Sequence, residues 1–137
     1  MYPEPLVAPM RAELTNAGFH DLTAPEQVEQ ALNQNGTVLL VVNSVCGCAA
    51  GAARPGVLKA LQNTKQPDQK VTVFAGVAKD ATQKARQFLL PYPPSSPSIA
   101  LFKNGQLVHM LERHHIEGRS ADQIAQNLQL AFDQYCN

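Results

Sequence analysis

Thr37 to Val42 reads TVLLVV, a charge-free run of β-branched and aliphatic residues, and predicts a strand buried on both faces. Asn43 and Ser44 break the run. The small-residue stretch AAGAARPGVLKALQ, opened by Cys48, then has helical composition, with Pro55 expected to kink or restart that helix before it ends near Gln62-Asn63. Ahead of the strand, Pro9 to Ala17 reads as a short helix stopped by Gly18. Thr23-Ala24-Pro25-Glu26 reads as a helix start with Thr23 as cap, running through Val28, Ala31 and Leu32 to a left-handed stop at Asn35-Gly36. Lys70 to Ala75 predicts a second strand and Asp80 to Leu90 a helix closed by Pro91. After the proline-rich tract 91–97, Ser98 to Phe102 predicts a third strand. Asn104-Gly105 turns it into a hairpin with Gln106 to Leu111. Ser120-Ala121-Asp122-Gln123 is a capping box for a last helix through Ile124, Leu128, Ala131 and Phe132.

Strands joined through a helix pair in parallel with a right-handed crossover, and the hairpin adds an antiparallel pair. The expected fold is therefore α/β, with a mixed four-stranded sheet and helices on both faces. Residues 1–137 read as a single domain, with 1–36 a helical extension and 37–137 the core.

Composition narrows the class. The chain has 137 residues, with 11 basic and 11 acidic side chains, so no net charge favours nucleic acid or a membrane surface. No apolar stretch approaches a membrane span, and MYPEPLVAPMRAEL lacks the basic start and apolar core of a signal peptide. A cytoplasmic location with reduced thiols is the expectation.

Three cysteines cannot build a disulfide framework, and Cys46 and Cys48 stand one residue apart where the buried strand meets a helix. Unpaired N–H groups and the positive dipole at a helix start favour a thiolate. A disulfide between residues two apart closes a small, strained ring, which is oxidising and easily reopened. Cys46, nearest the helix start, is the expected nucleophile and Cys48 the more sheltered thiol. Gly47, Ala49, Ala50, Gly51 and Ala52 leave room for a bulky partner. Cys136 reads as a frayed bystander, or else as an intermolecular or second resolving thiol. Tyr92 reads as packing, or as a flank of the substrate groove.

The element order, the cysteine pair at the first strand-helix junction and the proline before the third strand resemble the thioredoxin fold. The segments VCGCAAGAARPGV and YPPSSPSIALFKNGQLVHMLERHHIEGRSA, with the terminal Tyr135-Cys136, resemble the bacilliredoxins. That resemblance implies a Cys-Gly-Cys site with no bound cofactor. Cys46 would attack a mixed disulfide between a client protein and bacillithiol, the co-substrate, and Cys48 would resolve the adduct. It also implies a cis Ser96-Pro97 peptide facing the thiols. Unlike thioredoxin itself, the chain has no Trp and only one residue between its cysteines.

If Ser96-Pro97 faces the cysteines, the hairpin returns Arg113, His114, His115 and Arg119 toward the same end. A histidine there can stabilise a thiolate or accept its proton, and Arg113 or Arg119 can hold a carboxylate of a small thiol. Two other readings use the same residues: a disulfide isomerase on the same pair, and a zinc or thiol-sensing module built from Cys46, Cys48, His114 and His115.

Overall fold

The computed structural model describes residues 2–137. In chain order the elements are α1 (Glu4–Thr15), β1 (His20–Asp21), α2 (Pro25–Leu32) and β2 (Thr37–Asn43), then a π-helical turn at Ala49–Ala53. After it come α3 (Arg54–Ala60), β3 (Gln69–Phe74), α4 (Lys79–Phe88), β4 (Ser98–Lys103), β5 (Gln106–Leu111), α5 (Arg113–Ile116) and α6 (Ala121–Tyr135).

The sheet has five strands in the order β1-β3-β2-β4-β5, not the four expected. The extra one is His20–Asp21, which pairs in parallel with Val71 and Thr72 of β3. Two residues cannot show an alternating pattern, so the segment before Thr37 contributes a strand that periodicity did not reveal. β2 runs parallel to β3 and antiparallel to β4, and the β4–β5 hairpin turns at Asn104 (φ 50°) and Gly105 (φ 79°). Consecutive left-handed residues are what a two-residue hairpin turn requires.

Alternation along β2 divides the core. Leu39 and Val41 face α1, α3 and α6, while Val38, Leu40 and Val42 face α2 and α4. Both sets are fully shielded from water, which explains why the run carries no polar break.

Helix starts depart from expectation where prolines and caps compete. α1 begins at Glu4 and passes through Pro9, so that Val7 and Leu14 both reach the core. The cap of α2 is Ala24, not Thr23. The Gln27 side chain supplies the polar contact by accepting from the N–H groups of Thr23 (2.9 Å) and Ala24 (3.1 Å). Ser120 caps α6 as expected, accepting from Gln123 N–H.

α3 and α6 approach closely at Gly56. A methyl group there would lie 2.6 Å from Ile124 Cβ and 3.1 Å from the Ala121 carbonyl oxygen. Helix propensity favours Gly56→Ala by about 1 kcal/mol. Overpacking a tight contact costs about 1–3 kcal/mol. The expected result is a net loss of about 1 kcal/mol, opposite in sign to propensity, read as a lower urea midpoint at unchanged m-value.

Candidate functional site

Sheet register brings three separate segments to one end. Val42 of β2 pairs with Ser98 of β4, so the residues after β2 and those before β4 extend past the same edge. Ile99 pairs with Leu111, which returns the chain at Glu112 and Arg113 to that edge as well. Cys46, Ser96-Pro97 and Arg113 are thereby assembled, and the Ser96-Pro97 peptide is cis, as is Leu90-Pro91.

The cysteines are reduced and partly exposed, with their sulfurs 2.8 Å apart. The Cys46 carbonyl accepts from Ala49 and Ala50 N–H, so the helical turn begins at Cys46 itself. Cys46 Sγ lies 3.4 Å from Cys48 N–H, an otherwise unpaired donor at a helix start. The Pro55 expectation takes a specific form: the turn before it widens to π geometry, with Arg54 N–H reaching Ala49 O five residues back, and α-helix resumes from Arg54.

The two thiols are driven apart in acidity. Cys46 falls below the ordinary thiol value, chiefly because the Cys48 side chain donates to it. Cys48 N–H, the positive charge of Arg113 and Ala49 N–H act in the same direction against the effect of burial. Cys48 rises, first through burial and then because it serves as donor to Cys46. Cys46 is thus the more acidic of the two thiols and Cys48 the less acidic, an ordering that suits a nucleophile beside a resolving thiol.

Arg113 fastens the site's far wall. Its Nη1 donates to Ser96 O (3.2 Å), its backbone N–H to Ser95 Oγ (3.3 Å), and its Nε to Glu117 Oε1 (3.0 Å). Because its side chain is half exposed, its effect on Cys46 is screened by salt. Arg113→Ala should shift the pH profile of Cys46 alkylation upward and slow the reaction at pH 7 by about two- to threefold at low salt. The gap should close in about 1 M salt, where the Debye length is about 3 Å.

The small residues divide. Gly47 and Gly51 face open space, with nothing within 4 Å of where a Cβ would stand, and Ala50 is exposed. Ala49 and Ala52 instead point into the core, so the room for a partner lies over Gly47, Ala50 and Gly51.

The histidines both pair with Glu112. His114 Nε2 pairs with Glu112 Oε2 at 3.0 Å, and His115 Nδ1 accepts from Glu112 N–H at 3.0 Å. Both contacts hold the start of α5, the short helix that follows the hairpin. Among the described residues, the cluster with metal-ligand atoms within 4.8 Å of one another is Glu112, His114 and His115. The mixed set Cys46, Cys48, His114 and His115 is therefore not assembled. Tyr92 lines an exposed groove with Leu90 and Pro94. Arg119 lines a separate pocket of about 240 Å³ with His115 and Gln123.

Cys136 is buried close to Thr37, and that burial pushes its thiol up. Thr37 and Asn43 are opposite ends of β2, about 20 Å apart at the usual rise per strand residue. Cys136 therefore cannot resolve Cys46 of the same chain.

Sequence reasoning passed over Arg54, Asn43 and Ser44, which lie buried under the cysteine turn. The available signal was a lone arginine inside a run of small residues, following a charge-free strand that ends in Asn. No helix among the described residues is long and apolar enough to cross a membrane.

Residues 2–136 match the family described as disulphide isomerase. A bacilliredoxin of Cytophaga hutchinsonii is 63% identical over 134 residues, covering 98% of this chain and 99% of that protein. One from Salinibacter ruber is 53% identical over 138 residues, covering 98% and 81%. Among solved structures, mitochondrial thioredoxin 3 of Saccharomyces cerevisiae aligns with a TM-score of 0.59 at 16% identity, covering 86% of this chain and 96% of that one. Plasmodium falciparum thioredoxin aligns at 0.59 and 19%, covering 88% and 100%. At such identities the likeness speaks for the fold alone. The chain belongs to the disulphide isomerase family, whose members here are bacilliredoxins, and has the thioredoxin fold.

Proposed function

We propose that this thiol–disulfide oxidoreductase removes a low-molecular-weight thiol, bacillithiol, from mixed disulfides on client proteins in the cytoplasm. The observation that carries the reading is the asymmetry of the pair: Cys46 Sγ receives both the Cys48 side chain and Cys48 N–H at the helix start, which lowers its pKa while that of Cys48 is raised. Cys46 Sγ⁻ attacks the sulfur of the small thiol. The client leaves as a thiolate, and a new disulfide joins Cys46 to bacillithiol. Cys48, once deprotonated, attacks Cys46 Sγ, releasing bacillithiol as a thiolate and forming the Cys46–Cys48 disulfide. A thiol reductant supplies the two electrons that reopen it. The guanidinium of Arg113 stands where a carboxylate on the small thiol can be held. The partners are thus client proteins and a small thiol, with no bound cofactor, nucleic acid or membrane.

The test presents a client protein carrying a bacillithiol adduct and follows its mass. Release of the client thiol, with the parent chain losing two hydrogens and Cys48→Ala retaining the adduct on Cys46, is the expected result. A client that keeps its adduct while Cys46 alkylates rapidly would overturn the small-thiol assignment and leave exchange intact. The family description favours a second reading, isomerisation of client disulfides by the same Cys46. It predicts repair of a scrambled protein with no small thiol present.

A further inference from the structure

Arg54 is 1% exposed, the largest side chain buried to that degree, and lies beneath the cysteine turn. Its Nη1 donates to Asn43 Oδ1 (2.9 Å) and to the Ser44 carbonyl (2.8 Å). Asn43 Oδ1 also accepts from Ser44 N–H (2.8 Å), and Ser44 Oγ accepts from Cys46 N–H (3.1 Å). On the other side, Arg54 Nε lies 3.1 Å from Glu13 Oε2, and Asn43 Nδ2 donates to the Met10 carbonyl (3.3 Å), both on α1. A buried arginine whose carboxylate partner reaches solvent is a costly way to fill space, and apolar residues of equal volume often serve stability as well or better. The contacts of Arg54 are concentrated on the residues that end β2 and open the thiol turn.

We propose that Arg54 is a positioning residue for Cys46, and that α1, through Glu13 and the Met10 carbonyl, belongs to the same frame. The inference rests on the reading of Cys46 as the attacking thiol. Arg54 reaches Cys46 only through Ser44, whose carbonyl it holds and whose hydroxyl accepts from Cys46 N–H, so it acts through the backbone. By fixing Ser44 it fixes Cys46 N–H. That in turn holds Cys46 Sγ at the mouth of the helical turn, where Cys48 N–H meets it. Unpinned, the turn rotates, the sulfur loses its donors, and the thiol regains a proton.

The test measures the pH profile of Cys46 alkylation by mass spectrometry in Arg54→Met, Arg54→Lys, Ser44→Ala and Glu13→Gln, each checked for folding by circular dichroism. Arg54→Met should raise the apparent pKa of Cys46 by about one unit and slow alkylation at pH 7 about tenfold. Arg54→Lys, which keeps the charge and one donor nitrogen but not the fork, should recover part of that rate. Ser44→Ala removes only the last link and should move the profile in the same direction while melting close to the parent. Glu13→Gln should give a smaller shift of the same sign. Wild-type profiles in folded Arg54→Met and Ser44→Ala would overturn the proposal. Should Arg54→Met not fold, Ser44→Ala and Glu13→Gln decide it. A wild-type Cys46 as sluggish as a free thiol would remove the attacking-thiol reading itself, whereas wild-type reactivity kept by every variant would remove only the positioning role.

Discussion

Cys46→Ser should abolish thiol exchange, with an expected loss of at least about a thousandfold, because neither other cysteine is placed to substitute for it. Cys48 is held protonated by burial and by its contact with Cys46, and Cys136 is sealed at the far end of β2. Cys48→Ala behaves differently. It removes the donor that does most to lower Cys46, so attack at neutral pH slows and recovers as pH rises through the now higher pKa. Yet the adduct it forms has no internal thiol to displace it. Intact-mass spectra should therefore show Cys48→Ala accumulating one small-thiol adduct per chain, Cys46→Ser none, and the parent a mass lower by two hydrogens. If Cys46→Ser kept a tenth of the parent rate, or if Cys48→Ala were the inert variant, the assignment of roles would be reversed.

The second large effect concerns the core that holds the site. Phe132 on α6 is fully buried in the layer shared with α3 and the π-helical turn. Phe132→Ala should cost about 3–5 kcal/mol through lost transfer energy and an unfilled cavity. Against typical domain stabilities of about 5–15 kcal/mol, that removes a large share and lowers Tm by roughly 10–20 °C. Urea denaturation followed by circular dichroism measures it directly. A loss under about 1 kcal/mol would mean the helical layer is not close-packed there. Because α6 braces α3, which carries Arg54, the variant should also loosen the thiol turn before it unfolds globally.

What the sequence made legible were features written within a few adjacent residues. The apolar run of β2 is shielded on both sides, so burial leaves no polar residue to obscure it. Asn104-Gly105 and Ser120 signal themselves by local backbone geometry, although Asn104 is also bonded to Gly36 from a distant part of the chain. The cysteine pair announces its chemistry by spacing. Hidden features depended on distant partners. β1 is two residues long and is a strand only because β3 lies beside it. Pro9 resembles a helix start, but Pro5 is the one near the amino end of α1, and burial of Val7 and Leu14 carries the helix through. The Arg54 cluster joins residues of α1, β2 and α3 through side-chain forks that no local pattern encodes. Arg113 could be placed at the site from the hairpin, but its anchorage on Ser95 and Ser96 could not be read from the order of residues.

The separation of the sulfurs also sets the capacity of the molecule. With two sulfurs adjacent at one pole and the third enclosed at the other, each chain can store a single pair of electrons in an internal disulfide and would need recharging before acting again. Its throughput in a cell under oxidative load is therefore tied to the supply of reductant, and adding substrate beyond that supply leaves only oxidised chains.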